Sequence, residues 1–549
     1  MGRTNVTKPT TVVLCAIALC SALSIGAEPF PFRTVALSGQ AAPGAQPGSV
    51  FDVLDARGID AQGRVLYWAT LTGPLADESH DTGLWLGSRG GLTPVAVESE
   101  RAADTDTAVI YGHFDSETEY LLSPDGTISF ANWLSGSGLS TANDGALFVG
   151  PHGGLHVLAR ESEQAGDISL SITYGSQAFD QYRGPPTNNG YVSFHAVLAG
   201  PGVTFGNHTA LFAGPFDDVR LVARRGSQAA GTPSGATYGS FSTSSRIVGP
   251  PVNDSGKVAF FAKLDGAGVT DRNNRGIWVG DAGGVTLVAR KGDRPPGMPS
   301  GVFFHNVDNP SINNSGEVAF SSILGGPGIT SSNDDDVIWV GTPGNLELLA
   351  RASSPAPGTD STFDSLYANP ILTQSGEVMF MATLTGGGTS FWVGKPGDLR
   401  KVVAQGDPRP DGAGTFRLQY TRPAFSNGRG QVSFIEAAYG APVSLWATDL
   451  TGALQLACEA GDSFEVAPGD TRVISYIRNV YGGWGNETGF PTYFNDNSEL
   501  LMTLDFTDGS QGVFVAIVPE PTTSWLLLGG LALLSGFRRR RRPGRSLDS

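Results

Sequence analysis

The sequence predicts an all-β protein, and within that class a β-propeller of eight four-stranded blades. Three observations carry the prediction. Glycine (75) and proline (35) make up 110 of 549 residues; both are the poorest helix formers, so short strands and tight turns are favoured over long helices. A turn followed by an apolar strand recurs eight times along the chain. The two ends of the repeated region hold complementary parts of one unit, the eighth. At 40% hydrophobic residues the chain has enough apolar surface to bury a core.

The repeated turn is clearest at Asn253-Asp254-Ser255-Gly256-Lys257-Val258-Ala259-Phe260 and Asn313-Asn314-Ser315-Gly316-Glu317-Val318-Ala319-Phe320. Weaker copies place their glycine at Gly63, Gly126, Gly190, Gly376 and Gly430, and an eighth puts Ser498 in the glycine position. Successive copies lie 63, 64, 66, 60, 60, 54 and 68 residues apart. A period of this length marks a repeat architecture.

Each unit repeats one order of segments. A first strand (258–264) is followed by a glycine loop (266–270), a second strand (276–280) and a third (285–290). Turn residues Gly292-Asp293 and Pro296-Gly297 precede a fourth strand near Val302. The next unit repeats the order with Ile338-Trp339-Val340-Gly341, 346–351, Pro357-Gly358 and Phe363. Four strands per roughly 60 residues read as one antiparallel sheet per unit.

The chain ends predict closure. Segments 35–39 and 50–54 read as the second half of a unit, and 500–506 with 512–517 as the first half. Joined, they complete an eighth sheet and leave no unpaired edge. Seven blades or an open β-solenoid are the alternatives, but a solenoid gives no reason for complementary halves.

Outside the repeat region (28–518) the ends are targeting segments. Residues 1–27 hold basic Arg3 and Lys8, an apolar run over 11–23 and small residues Gly26 and Ala27, the pattern of a signal peptide cleaved after Ala27. Cleavage leaves Cys458 as the sole cysteine, so no internal disulfide forms. At the other end, 519–549, Pro519-Glu520-Pro521 precedes an apolar run (522–537), expected as a short transmembrane segment, and then Arg538, Arg539, Arg540, Arg541 and Arg542. Arginines beyond an apolar span hold that end in the cytoplasm and leave the body outside the inner membrane. Losing Arg3, Lys8, six tail arginines and Asp548 lowers the basic count from 36 to 28 and the acidic count from 52 to 51, a net charge near −23. A body this acidic repels nucleic acid, which excludes that class of partner.

The motif, apolar run and arginine cluster of the tail resemble the PEP-CTERM sorting signal of Gram-negative bacteria. The resemblance implies processing by an exosortase, after signal peptidase has acted at the other end, and transfer to the cell surface or an extracellular polysaccharide matrix. An ordinary tail anchor is the alternative. The repeated Asn-x-x-Gly-x-x-Ala-Phe resembles bacterial choice-of-anchor tandem-repeat surface proteins; that resemblance implies location and no activity.

Candidate sites are few. The repeated Asn and Gly are explained by turn chemistry, since Asn bonds to nearby backbone and Gly accepts positive φ. The acidic loop Asn333, Asp334, Asp335 and Asp336 is the best candidate for calcium, although it lacks EF-hand spacing; no other cofactor is expected. The aromatic insertion Tyr481, Trp484, Phe490 and Tyr493 is a candidate for stacking on sugars, with inter-blade packing as the alternative. The seven histidines show no metal-ligand spacing, and no nucleophile elbow, phosphate loop or dinucleotide fingerprint is present. The expected function is a secreted, surface-sorted, non-catalytic binding or structural module. The alternative is a polysaccharide-active hydrolase or lyase with carboxylates from different blades paired at the channel mouth.

Overall fold

The computed structural model describes residues 30–116, 118–176, 179, 187–241, 250–330, 334–367, 370–419, 425–478 and 492–519, and every regular element among them is a β-strand. The strands form eight antiparallel sheets of four or five strands. Blade 5 shows the plan: Phe303–Ile312, Val318–Gly325, Asp336–Thr342 and Asn345–Arg351 pair in chain order. Blade 1 repeats it with Val50–Ile59, Val65–Thr72, Thr82–Ser88 and Gly91–Val97.

Blade 8 closes the ring. The N-terminal strand Phe32–Leu37 pairs antiparallel with the C-terminal strand Gln511–Ile517, from Phe32 opposite Ala516 to Leu37 opposite Gly512. Glu499–Phe506, Asp470–Arg478 and the added strand Ser463–Ala467 complete that sheet. Closure is as the sequence implies, but its division is corrected. The N-terminus contributes one strand to the shared sheet, and the segment from Val50 opens blade 1 instead. The same shift of one strand applies throughout: the strand before each Asn-x-x-Gly turn pairs with the strand after it. A tight turn joins only antiparallel neighbours, so the turn lies inside a sheet and not at its start.

The hydrophobic core is divided among the seams. Eight clusters of buried residues form, each made from two adjacent blades. One joins Val35, Leu501 and Val513 of blade 8 to Phe51, Tyr67 and Trp85 of blade 1. Eight seams for eight blades describe a closed ring; an open array of eight has seven.

An aromatic pair fixes each blade internally. The first strand sends a ring edge-on to an aromatic residue of the third strand, as in Phe51–Trp85 at 5.0 Å and Phe363–Trp392 at 4.9 Å. In blade 7, Phe416 lies ahead of the first strand Phe425–Ser426 and meets Trp446 in the same way at 4.9 Å. Edge-to-face geometry suits the ring quadrupoles and adds to the area buried. Room for the indole comes from the residue two before it on the same face. A Cβ on Gly276 would lie 2.6 Å from the Trp278 ring.

In blades 2, 3 and 6 the first strand is split into two pieces that pair with the same second strand. In blade 2, Val109–Tyr111 and Leu121–Leu122 both pair with Thr127–Gly136, and the chain between them leaves the sheet. That excursion carries His113.

Candidate functional site

The repeated turns do two structural tasks. Asn253, Asn313, Asn427 and Asn495 are buried. Each Oδ1 accepts the backbone N–H four residues on: Lys257 at 3.0 Å, Glu317 at 3.0 Å, Gln431 at 3.0 Å and Glu499 at 3.1 Å. Each Nδ2 donates to the carbonyl at the same position of the next blade: Asn313 at 3.0 Å, Thr373 at 3.3 Å, Asn495 at 3.0 Å and Asp60 at 2.8 Å. Equivalent residues of successive blades touch only near the ring axis, so these turns surround it and the first strand of each sheet is innermost. The turn reading is therefore right, and the amide nitrogen adds an inter-blade bond.

Strand order places the second-to-third-strand loops of all blades on the face opposite these turns. At the seam of blades 1 and 2 on that face, three side chains converge. Asp81 precedes the third strand of blade 1, Glu98 follows its fourth strand, and His113 comes from the excursion of blade 2. His113 Nδ1 lies 3.5 Å from Glu98 Oε2, 3.7 Å from Asp81 Oδ1 and 3.3 Å from Thr82 Oγ1. Thr82 Oγ1 donates to Glu98 Oε2 at 2.7 Å and accepts from the Phe114 N–H at 3.0 Å.

Glu98 is 6% exposed and His113 side chain 56%. Asp81 Oδ1 is buried and accepts no hydrogen bond. Burial, then the neighbouring Glu98 carboxylate, push the Asp81 carboxyl above the usual carboxylate range.

The trio departs from the repeat. Backbone bonds from Leu71 to Asp81 and from Leu134 to Asp144, from Glu98 to Thr82 and from Glu161 to Gly145, and from Gly112 to Trp133 and from Gly175 to Val197 align the two seams. The next seam thus carries Asp144, Glu161 and Ser176, with serine where His113 stands. Sequence reading missed the cluster because its members are 15 to 32 residues apart and on two blades. Superposing the units shows the histidine out of pattern, and that was the available signal.

The other predicted sites are placed as follows. Asp334 Oδ2 pairs with Arg351 at 3.0 Å, and its Oδ1 accepts the Thr330 N–H at 2.5 Å. Asp336 turns to the next blade, where Oδ2 accepts from Ser365 Oγ at 3.2 Å. Asp335 is buried, and Asn333 lies outside the described residues. The carboxylates of Asp334 and Asp336 thus have different partners. Tyr493 is 2% exposed within the seam of blades 8 and 1, so its ring packs in the core and is not presented to a sugar. Tyr481, Trp484 and Phe490 lie outside the described residues. So do Glu520, Pro521, the expected segment 522–537 and Arg538 to Arg542; Pro519 ends the described chain. No helix among the described residues is long and apolar enough to cross a membrane.

Cys458 is buried in the seam of blades 7 and 8, where it packs as a core residue, and burial raises its thiol well above the usual range. Arg409 shows how other charges are used. It pairs with Asp411 at 2.6 Å and Glu459 at 2.7 Å while its guanidinium lies 5.0 Å from the Trp446 ring.

Fold and termini together define the class: an eight-bladed propeller carrying a surface-sorting tail. The chain belongs to a family of unknown function, DUF7453, whose profile matches residues 28–389 and 250–525. The PEP-CTERM protein-sorting motif matches residues 518–542, as the tail resemblance implies, and marks the protein for export and sorting to the cell surface. No protein of curated function matches in sequence. Among solved structures, a puromycin-hydrolyzing peptidase of Mycobacterium tuberculosis is similar at 14% identity with TM-score 0.36, over 87% of this chain and 61% of that one. A Trypanosoma rangeli sialidase is similar at 9% identity with TM-score 0.25, over 92% and 60%. The chain thus spans less than two thirds of these structures, and neither activity is carried over to it.

Proposed function

We propose that the protein is a non-catalytic binding and structural module displayed on the surface, or in the extracellular polysaccharide matrix, of a Gram-negative bacterium. The observation that carries this reading is the contrast between the two faces. On the turn face the repeated Asn side chains are consumed in bonds within and between blades. On the opposite face, the second-to-third-strand loops hold Phe205 at 77% exposure and Tyr439 at 89%. These loops, 200–208 and 437–443, carry no acidic residue, and exposed rings on such loops suit stacking against neutral sugar faces. The insertion with Tyr481, Trp484 and Phe490 belongs to the same reading, and the choice-of-anchor resemblance agrees with the location.

The test is co-sedimentation of the full-length protein, in detergent, with the extracellular polysaccharide of its own cells, together with a reducing-end assay. The expected result is retention that Phe205→Ala and Tyr439→Ala weaken, with no new reducing ends. Depolymerisation would favour the hydrolase or lyase reading instead. Absence of retention would remove the polysaccharide as ligand.

A further inference from the structure

The seam of blades 1 and 2 holds a ligand set that neither the fold nor the surface location requires. We propose that Asp81, Glu98 and His113 form a binding site for a divalent transition-metal ion of the zinc type. Zinc binds imidazole and carboxylate ligands at about 2.0–2.2 Å in tetrahedral geometry, which places the ligand atoms roughly 3.3–3.6 Å apart. The separations from His113 Nδ1 to Glu98 Oε2, 3.5 Å, and to Asp81 Oδ1, 3.7 Å, are already near those edges.

Charge supplies the second argument. Glu98 is almost wholly buried, and beside it Asp81 Oδ1 is buried with no donor. Two carboxylates that close in a partly dry seam are stabilised by a cation or by a proton held between them. The protein provides one half-exposed imidazole, and no Arg or Lys pairs with either carboxylate among the described residues. A metal ion supplies the missing charge and takes up the orphaned oxygen.

The surroundings fit a metal centre as well. Thr82 Oγ1 donates to Glu98 Oε2 at 2.7 Å and so orients that ligand from behind. Exposure of His113 gives the ion a way in from solvent and leaves a fourth position for water or a ligand atom. The imidazole selects against calcium, which takes oxygen ligands. Bound there, the ion adds a tie between the excursion of blade 2 and the edge of blade 1, beside the bonds that Trp68 Nε1 donates to the Phe114 carbonyl at 2.8 Å and Arg57 to the Ser116 carbonyl at 2.7 Å.

The test is calorimetric titration of zinc chloride into chelator-stripped, full-length protein in detergent. The expected result is uptake of one zinc per chain and a rise in melting temperature on binding. His113→Ala and Asp81→Asn are each expected to weaken uptake by about tenfold or more. His113 is half-exposed, so metal-free His113→Ala should melt where the metal-free parent does, which keeps loss of binding separate from loss of fold. Wild-type zinc affinity in His113→Ala would overturn the assignment, as would absence of saturable uptake, or saturation by calcium chloride in place of zinc.

Discussion

The side-chain amide of Asn495, on the last blade, donates to the backbone carbonyl of Asp60, on the first, across 2.8 Å of space and 435 residues of sequence. It is the same bond that Asn253 makes to Asn313 and Asn427 to Asn495 within the array. The joint between the chain ends is therefore built like the other joints, with pairing of Phe32–Leu37 and Gln511–Ile517 added at the outer edge.

Asn253 separates the two tasks of the turn residue. Its Oδ1 holds the turn through Ser255 and Lys257, and its Nδ2 reaches the next blade. Asn253→Ala removes both and leaves buried groups unpaired, at an expected cost of about 3 kcal/mol. Asn253→Thr keeps an oxygen for the turn, as Thr373 does through its bond with the Glu377 N–H at 3.1 Å. It should cost about half as much. Equal losses in chemical denaturation would show that the inter-blade bond contributes everything.

Gly63 and Gly316 occupy the same turn position with φ of 74° and 80°. A Cβ at Gly316 meets nothing within 4 Å, whereas one at Gly63 falls 2.5 Å from Glu499 Oε2. Gly316→Ala should cost about 1–2 kcal/mol through backbone strain alone. Gly63→Ala should cost more, because Glu499 is buried and held by Asn495 at 2.8 Å. Denaturation midpoints of the two variants check the order.

Deleting residues 30–38 tests closure. The deletion strips Val35 and Ala36 from one seam and Phe30 from another, and it leaves Gln511–Ile517 as an open edge. An exposed edge strand templates association with other chains. The exported variant should melt at lower temperature and sediment as oligomers. An unchanged melting temperature would show that the ring is held without its outer strand.

His195 is fully buried against Phe241, and burial lowers its imidazole from the ordinary value of 6.5 to about 4. The unfolded chain binds the proton that the folded chain refuses between those values. Stability from this residue is therefore full above pH 6.5, is lost as pH falls towards 4, and changes no further below. The loss is on the order of 3 kcal/mol. Subtracting the pH–stability profile of His195→Phe from that of the parent should isolate it; parallel profiles would contradict it.

Much of the scaffold was legible because its signals are local. The turn at Asn313 to Gly316 and the alternation that follows are encoded within a few residues, and the observed strand Val318–Gly325 starts where the pattern places it. The phase of the sheets was not read, since a repeat has no intrinsic beginning, although the tightness of the turn contained the answer. The aromatic pairs were missed for another reason. Phe51 and Trp85 lie 34 residues apart, and only the fold of the sheet sets one ring on the other.

Sequence by itself determined the class of fold, the number of units, the turn chemistry and the sorting tail, because each is written in neighbouring residues. Tertiary structure decided which residues meet across a seam. Asp81, Glu98 and His113 converge, and Asp334 and Asp336 take separate partners, for the same physical reason. Contacts between blades depend on how each sheet is set against the next around the axis, and that setting comes from the packed seams as a whole and not from any segment of the chain.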